Sequence, residues 1–272
     1  MPNSKILPLL AFLIAPVLNA AAASAPPAPR QPTKGWVLDY AETNCTASRA
    51  YGSDVDPLEL VLRPSPFGHV LQLIVLRNGR GEWAMHVPVT VTLPNAPLKT
   101  TALRYWDHKG HEILLVSFRS EALEQMRAAP TVGIHAGGII DETFAVPVIG
   151  KVMQGLDACD ADLLQHWNAE AGDTKVKVRA RSLAPLASYF SDADYPAQAV
   201  SENRSGISAV TMMIDETGTM RDCLVEETSG IASLDAMACA LFMKRAKFKP
   251  ALDAAGKPIR SIYQDRVKWV MP

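Results

Sequence analysis

The stretch "DYPAQAVSENRSG", Asp194 to Gly206, is where the chain restarts. Pro196 suits the first turn of a helix, where its missing N–H costs nothing, and Gly206 ends that helix before a new apolar run. Ile207–Ile214 ("ISAVTMMI") reads as a strand, "DETG" as a turn, and Met220–Glu227 ("MRDCLVEE") as the hairpin partner. Ser233 with Asp235 marks the next helix start. Ile231, Leu234, Ala238, Leu241, Phe242 and Phe248 gather on one arc of that helix, and Pro250 stops it. In the closing "SIYQDRVKWVM", Tyr263, Val267, Trp269 and Met271 alternate with Gln264, Arg266 and Lys268, the pattern of a strand with one buried face. Helix, strand, strand, helix, strand over residues 194–272 predicts a separately folded α+β module: helices on a three-stranded antiparallel sheet with one small core.

Upstream, residues 169–193 are polar and read as a linker. Within them Lys175, Lys177, Arg179 and Arg181 alternate with apolar residues, which suits a solvated strand face better than a phosphate site. Residues 36–168 hold recurring strand-like runs between turn residues, and Asn78-Gly79 between two of them is a hairpin signal. Ser120 is placed to cap a short helix over Glu121–Ala128. A longer helix closes the module: Val152, Leu156, Cys159, Leu163 and Trp167 form a single apolar stripe. The fold class is therefore α+β, a mostly-β N-terminal module with a closing helix followed by the smaller C-terminal one.

At the start, Lys5 precedes the apolar run Ile6–Leu18, and small residues follow it. Residues 1–25 read as a cleaved signal peptide, with the mature chain starting between Ala21 and Pro26. An uncleaved membrane anchor is the rival, opposed by Pro8 and Pro16. Residues 26–35 are a proline-rich spacer. A chain of 272 residues with 48% hydrophobic and 20% charged residues can bury a core in each module. Its formal net charge of −1 gives no footing for a nucleic-acid partner.

In an exported chain the 4 cysteines suggest disulfides, with three pairings permitted. Sequence distance favours Cys45 with Cys159 and Cys223 with Cys239, one bridge per module. No C-x-x-C occurs. Nor does a G-x-S-x-G, H-E-x-x-H, Walker or G-x-G-x-x-G motif. His108 and His111 have metal-ligand spacing without an evident third ligand, and read as exposed turn histidines. Gly137-Gly138 after His135 suits a tight turn as well as a ligand approach. Asp157, Asp160 and Asp162, beside the helix stripe, read as solvated carboxylates. No catalytic residue, metal site or cofactor is assigned.

Y-P-x-x-A at Tyr195, D-x-x-G at Asp215, L-D-x-x-A at Leu234, R-x-x-F-x-P at Arg245 and the closing "DRVKWV" occur in an order that resembles the C-terminal domain of the TonB family of Gram-negative periplasmic proteins. The resemblance spans residues 194–272 and leaves the N-terminal module unrecognised. It implies a periplasmic protein that binds a protein partner, an outer-membrane TonB-dependent transporter or another envelope protein, with a link to transport across the outer membrane. Energy-transducing members keep an N-terminal membrane helix, usually carrying a His, and a long spacer. Here the apolar segment holds no His, and a folded module takes the spacer's place.

Three readings stand. The leading one is an exported protein that takes a partner segment by strand addition at the final strand, with Ile262, Gln264, Arg266, Lys268 and Val270 along the binding edge. The second is a membrane-anchored transducer, which touches the membrane only if residues 1–25 persist. The third is an enzyme or ligand sensor built on the N-terminal module, with His108, His111 or His135 in its pocket.

Overall fold

The computed structural model of the protein describes residues 27–67, 70–170 and 174–271. The expected signal peptide lies outside them. Nine strands form one antiparallel sheet: β1 (Val37–Tyr40), β2 (Cys45–Ala50), β3 (Leu58–Pro64), β4 (Val70–Asn78), β5 (Met85–Thr92), β6 (Pro97–Trp106), β7 (His111–Arg119), β8 (Thr131–Ala136) and β9 (Ile140–Ala145). Their order in the sheet is β1-β2-β3-β4-β7-β6-β5-β8-β9. Strand alternation supplies the core, with Leu60, Leu62, Leu73, Val91, Val116 and Ile134 buried on the inner face. The sheet curls until its ends meet. The Tyr51 hydroxyl donates to the Ala145 carbonyl at 2.7 Å, and the Tyr51 ring stands edge-on to Phe144 at 4.8 Å.

Against the sheet pack α1 (Ser120–Arg127) and α2 (Ile149–His166), the closing helix. The expected stripe of α2 is buried from Val152 to Trp167. Ser120 is the first residue of α1, and Arg119 occupies the cap position. The Asn78-Gly79 hairpin signal is overturned, because β4 pairs with β3 and β7 while β5 pairs with β6 and β8. Glycine is needed here for close packing instead. A Cβ on Gly79 would stand 2.6 Å from the Glu112 Cβ, and one on Gly81 2.5 Å from the Trp106 ring. The proline-rich spacer is strapped to the sheet: Arg30 bridges to Phe144 and its guanidinium pairs with Glu142.

The C-terminal module begins before Asp194. β10 (Arg181–Ser182) pairs with β13 (Phe248–Lys249), and Val178 bridges to Leu252. Much of the expected linker is therefore laid on the module. After α3 (Ala197–Ser201) come β11 (Gly206–Ile214), β12 (Met220–Glu227) and α4 (Ala232–Arg245). The short β14 (Ala251–Leu252) and β15 (Pro258–Ile259) precede the last strand, β16 (Ser261–Trp269). The sheet order is β12-β11-β16, all antiparallel.

Three local expectations change. Asn203, with φ 52°, turns the chain after α3, and Gly206 opens β11. Phe248 lies in β13 because α4 ends at Arg245, well before Pro250. The single small core is also incomplete as a description. Val210, Met212, Val225 and Val267 pack with Ala238, Leu241 and Phe242 of α4 on one face of the sheet. From its other face Met213, Leu224 and Ile262 join the core of the N-terminal module. The two modules share a buried seam.

Candidate binding site

Each recognised motif in the C-terminal module has a structural task. The Tyr195 hydroxyl donates to the Arg204 carbonyl at 2.6 Å, closing the α3 turn, and its ring stands against Trp269 at 5.5 Å. The Asp215 carboxylate accepts from the Thr217 and Thr219 N–H groups at 2.8 and 2.9 Å and pairs with Arg221 at 2.7 Å. Burial raises its pKa, but these bonds outweigh burial and leave it below the usual carboxylate range. Gly218, at φ +83°, completes that turn, and a Cβ there would stand 2.2 Å from the Phe248 carbonyl oxygen. Arg245 holds Asp194 through two nitrogens, each at 2.6 Å, and keeps that carboxyl well below its ordinary pKa.

These contacts set β16 against β11 in unbroken register, from Gly206↔Trp269 to Ile214↔Ser261. β16 is the terminal strand of its sheet, so its second edge has no strand partner among the described residues. Tyr263, Val267 and Trp269 face α4. The five expected edge residues are divided by the fold. Ile262 packs against the N-terminal core. Gln264 donates to the Thr211 hydroxyl at 3.1 Å. Arg266 reaches across β11 to Glu227 at 2.9 Å. Lys268 is exposed, and Val270, just beyond the strand, is 63% exposed.

The cysteines pair as expected, Cys45 with Cys159 at a Cα–Cα distance of 6.1 Å and Cys223 with Cys239 at 5.4 Å. Among the described residues the histidines considered as ligands belong to no group of three or more possible metal ligands. His111 bonds Asp107 within the β6–β7 turn at 2.8 Å, His108 is exposed in that turn, and His135 on β8 bonds Asp141 on β9 at 2.5 Å. Asp157 pairs with Arg127 at 2.7 Å and Asp162 is exposed. Asp160 departs from the expectation of a solvated carboxylate. It is buried, and its Oδ1 has no hydrogen-bond partner among the described residues. Met153, Leu156, Leu163 and Trp167 are buried at heptad spacing around it, a second stripe whose centre is Asp160.

Residues 191–271 match the family model described as Gram-negative bacterial TonB protein C-terminal. The C-terminal module is a TonB C-terminal domain. No curated protein and no solved structure matches the chain. The domain supports a TonB-like protein of the Gram-negative envelope, with partners of the protein class.

The seam joining the TonB domain to the curled sheet was not foreseen from sequence. Gln198 of α3 pairs with the His86 backbone as a strand would: His86 N–H donates to its Oε1 and its Nε2 donates to the His86 carbonyl, both at 2.9 Å. The His86 ring is buried between Ser233 Oγ, 2.8 Å from Nδ1, and Glu202 Oε2, 2.7 Å from Nε2. Ser, His and Glu are the residue types of a nucleophilic triad. Here Ser233 keeps only 8% of its surface and the imidazole spans two modules, an arrangement that clasps them together. Farther along, Thr101 Oγ1 donates to the Gly230 carbonyl at 3.1 Å and accepts from the Ala232 N–H at 2.9 Å. Arg63 pairs with Asp222 at 2.6 Å, and Ser65 Oγ lies 2.7 and 2.6 Å from the two oxygens of Glu226. The one signal in the sequence is that Asp222, Leu224 and Glu226 share a face of β12, opposite Cys223 and Val225.

Proposed function

We propose that this is an exported periplasmic protein that works by contact rather than catalysis, its TonB domain taking an extended partner segment as an added strand beside β16. The observation that carries this reading is the open edge of β16, a nine-residue strand bonded on one side only among the described residues. Unpaired main-chain N–H and C=O groups along such an edge accept an extended chain, and flanking side chains supply selectivity. The N-terminal module supports the opposite side of the domain. Ile262 is anchored in its core and Arg266 is held by Glu227, so the start and the middle of the docking edge are positioned before a partner arrives. Edge lysines often guard against pairing. Here the Arg266 charge is already answered by Glu227, which leaves Lys268 as a weak guard. The family role points to a segment of an outer-membrane TonB-dependent transporter as the guest.

A proline scan from Gln264 to Val267 tests this. In a strand, alternate N–H groups point to opposite neighbours, so prolines at one parity break bonds to β11 and destabilise the domain. Prolines at the other parity should leave the fold intact and abolish binding of a transporter-derived peptide followed by NMR. Unchanged binding at every folded position rules out β16 as the docking edge.

A further inference from the structure

We infer that the seam between the modules is a proton-sensitive latch: Asp160 of α2 and Glu226 of β12, one buried acid from each module, hold the TonB domain seated while protonated and release it when both ionise. The inference does not depend on what β16 binds.

The geometry supplies the first argument. Each residue keeps 8% of its surface. Glu226 has the Ser65 hydroxyl as its partner, and one O–H can satisfy only one of the two carboxylate oxygens. Asp160 Oδ1 has none among the described residues. The nearby cations have other carboxylates as their ion-pair partners among the described residues. On α1 and α2, Arg127 pairs with Asp157. Between β3 and β12, Arg63 pairs with Asp222 through Nη2, and only its charge pulls on Glu226. Arg119 of β7 and Arg266 of β16 both reach Glu227. No cation among the described residues bonds either acid, and their own elements give Leu156 and Leu163 of α2 and Leu224 of β12 to the shared apolar core. An ionised carboxylate in such a place is costly unless it is paired.

The titration follows. Burial first, then the charges of Asp157 and Glu226, push Asp160 up to about 7. Burial likewise pushes Glu226 up to about 7, against the pull of Ser65 and Arg63. Once the modules separate, water solvates both groups and they return to ordinary carboxylate values near about 4. The docked state therefore binds more protons than the open state between about pH 4 and about pH 7. Docking is fully supported below that window, weakens as pH rises through it, and levels off above.

Hydrogen exchange of the full chain, corrected for intrinsic rates, reads the latch at about pH 5 and about pH 8. Protection of Met220–Glu227 and of Met153–Leu163 should fall by about tenfold or more at the higher pH. Inside the window, each acid favours the open state by about a further tenfold for every step of one in pH. Thr131–Ala145, remote from the seam, should hold its protection. In the Asp160→Asn, Glu226→Gln double variant the fall should vanish. An equal response in all three segments, or a fall that survives in the double variant, overturns the latch. Should the variant not fold, carboxyl carbon-13 NMR of the wild-type chain decides. Two midpoints near about 7 support the latch, and midpoints at ordinary carboxylate values overturn it.

Discussion

Asp235 shows how much one carboxylate organises in this domain. It accepts from the Ser208 and Thr228 hydroxyls at 2.6 and 2.5 Å and from the Ser229 N–H at 2.8 Å. Burial raises its pKa against those bonds. Its position in the first turn of α4 ties β11, the β12–α4 loop and α4 together. Asp235→Ala should cost about 2–4 kcal/mol, because several buried donors lose their acceptor at once. Chemical denaturation of the full chain measures this, and a loss under about 0.5 kcal/mol would show the network to be dispensable. The motif residue Asp235 was conspicuous in the sequence, although its partners were not. Asp160 is the contrary case: one polar letter in an apolar stripe looks like a stripe edge until the tertiary fold buries it.

At the scale of elements, the two disulfides join strand to helix, once in each module. Cys45–Cys159 closes a separation of 114 residues and Cys223–Cys239 one of 16. Chain-entropy estimates put the longer bridge at about 5 kcal/mol and the shorter at about 3 kcal/mol. Reduction should therefore lower the melting temperature, and Cys45→Ala with Cys159→Ala should cost more than the matching change at Cys223 and Cys239. Non-reducing peptide mapping checks the pairing itself, and a linkage between the modules would contradict the fold. Element identity followed well from periodicity, as α2, β11, β12 and β16 show. Strand neighbours did not. The Asn78-Gly79 pair has the letters of a tight turn, yet β7 and β6 lie between the strands it was expected to join.

For the whole molecule, the seam predicts a coupled pair of modules. His86 and Gln198 exchange backbone-like hydrogen bonds, and the His86 ring is held by Ser233 and Glu202. Buried hydrogen bonds of this kind contribute about 1 kcal/mol each, and more when a charged group takes part. Calorimetry of the wild-type chain should show one cooperative transition. His86→Ala with Gln198→Ala should split it into two, with the TonB domain melting first. A single unchanged transition in that variant would mean the apolar contacts of Met213, Leu224 and Ile262 suffice to couple the modules.

By itself the sequence determined the α+β class and the main helix–strand order of the TonB domain, and it favoured the cysteine pairing that the structure shows. Those features are local: they rest on periodicity, turn chemistry and spacing along the chain, and ordered motifs such as Tyr195-Pro196 and Leu234-Asp235 carry them. Only the tertiary structure decided the order of the curled sheet, the seam and the burial of Asp160 and Glu226. Sheet order depends on pairing between residues far apart in sequence. The seam depends on which face of a strand a second module happens to cover. β12 alternates in a way that suits either solvent or protein opposite Cys223, and nothing within its own eight residues says which one it will meet.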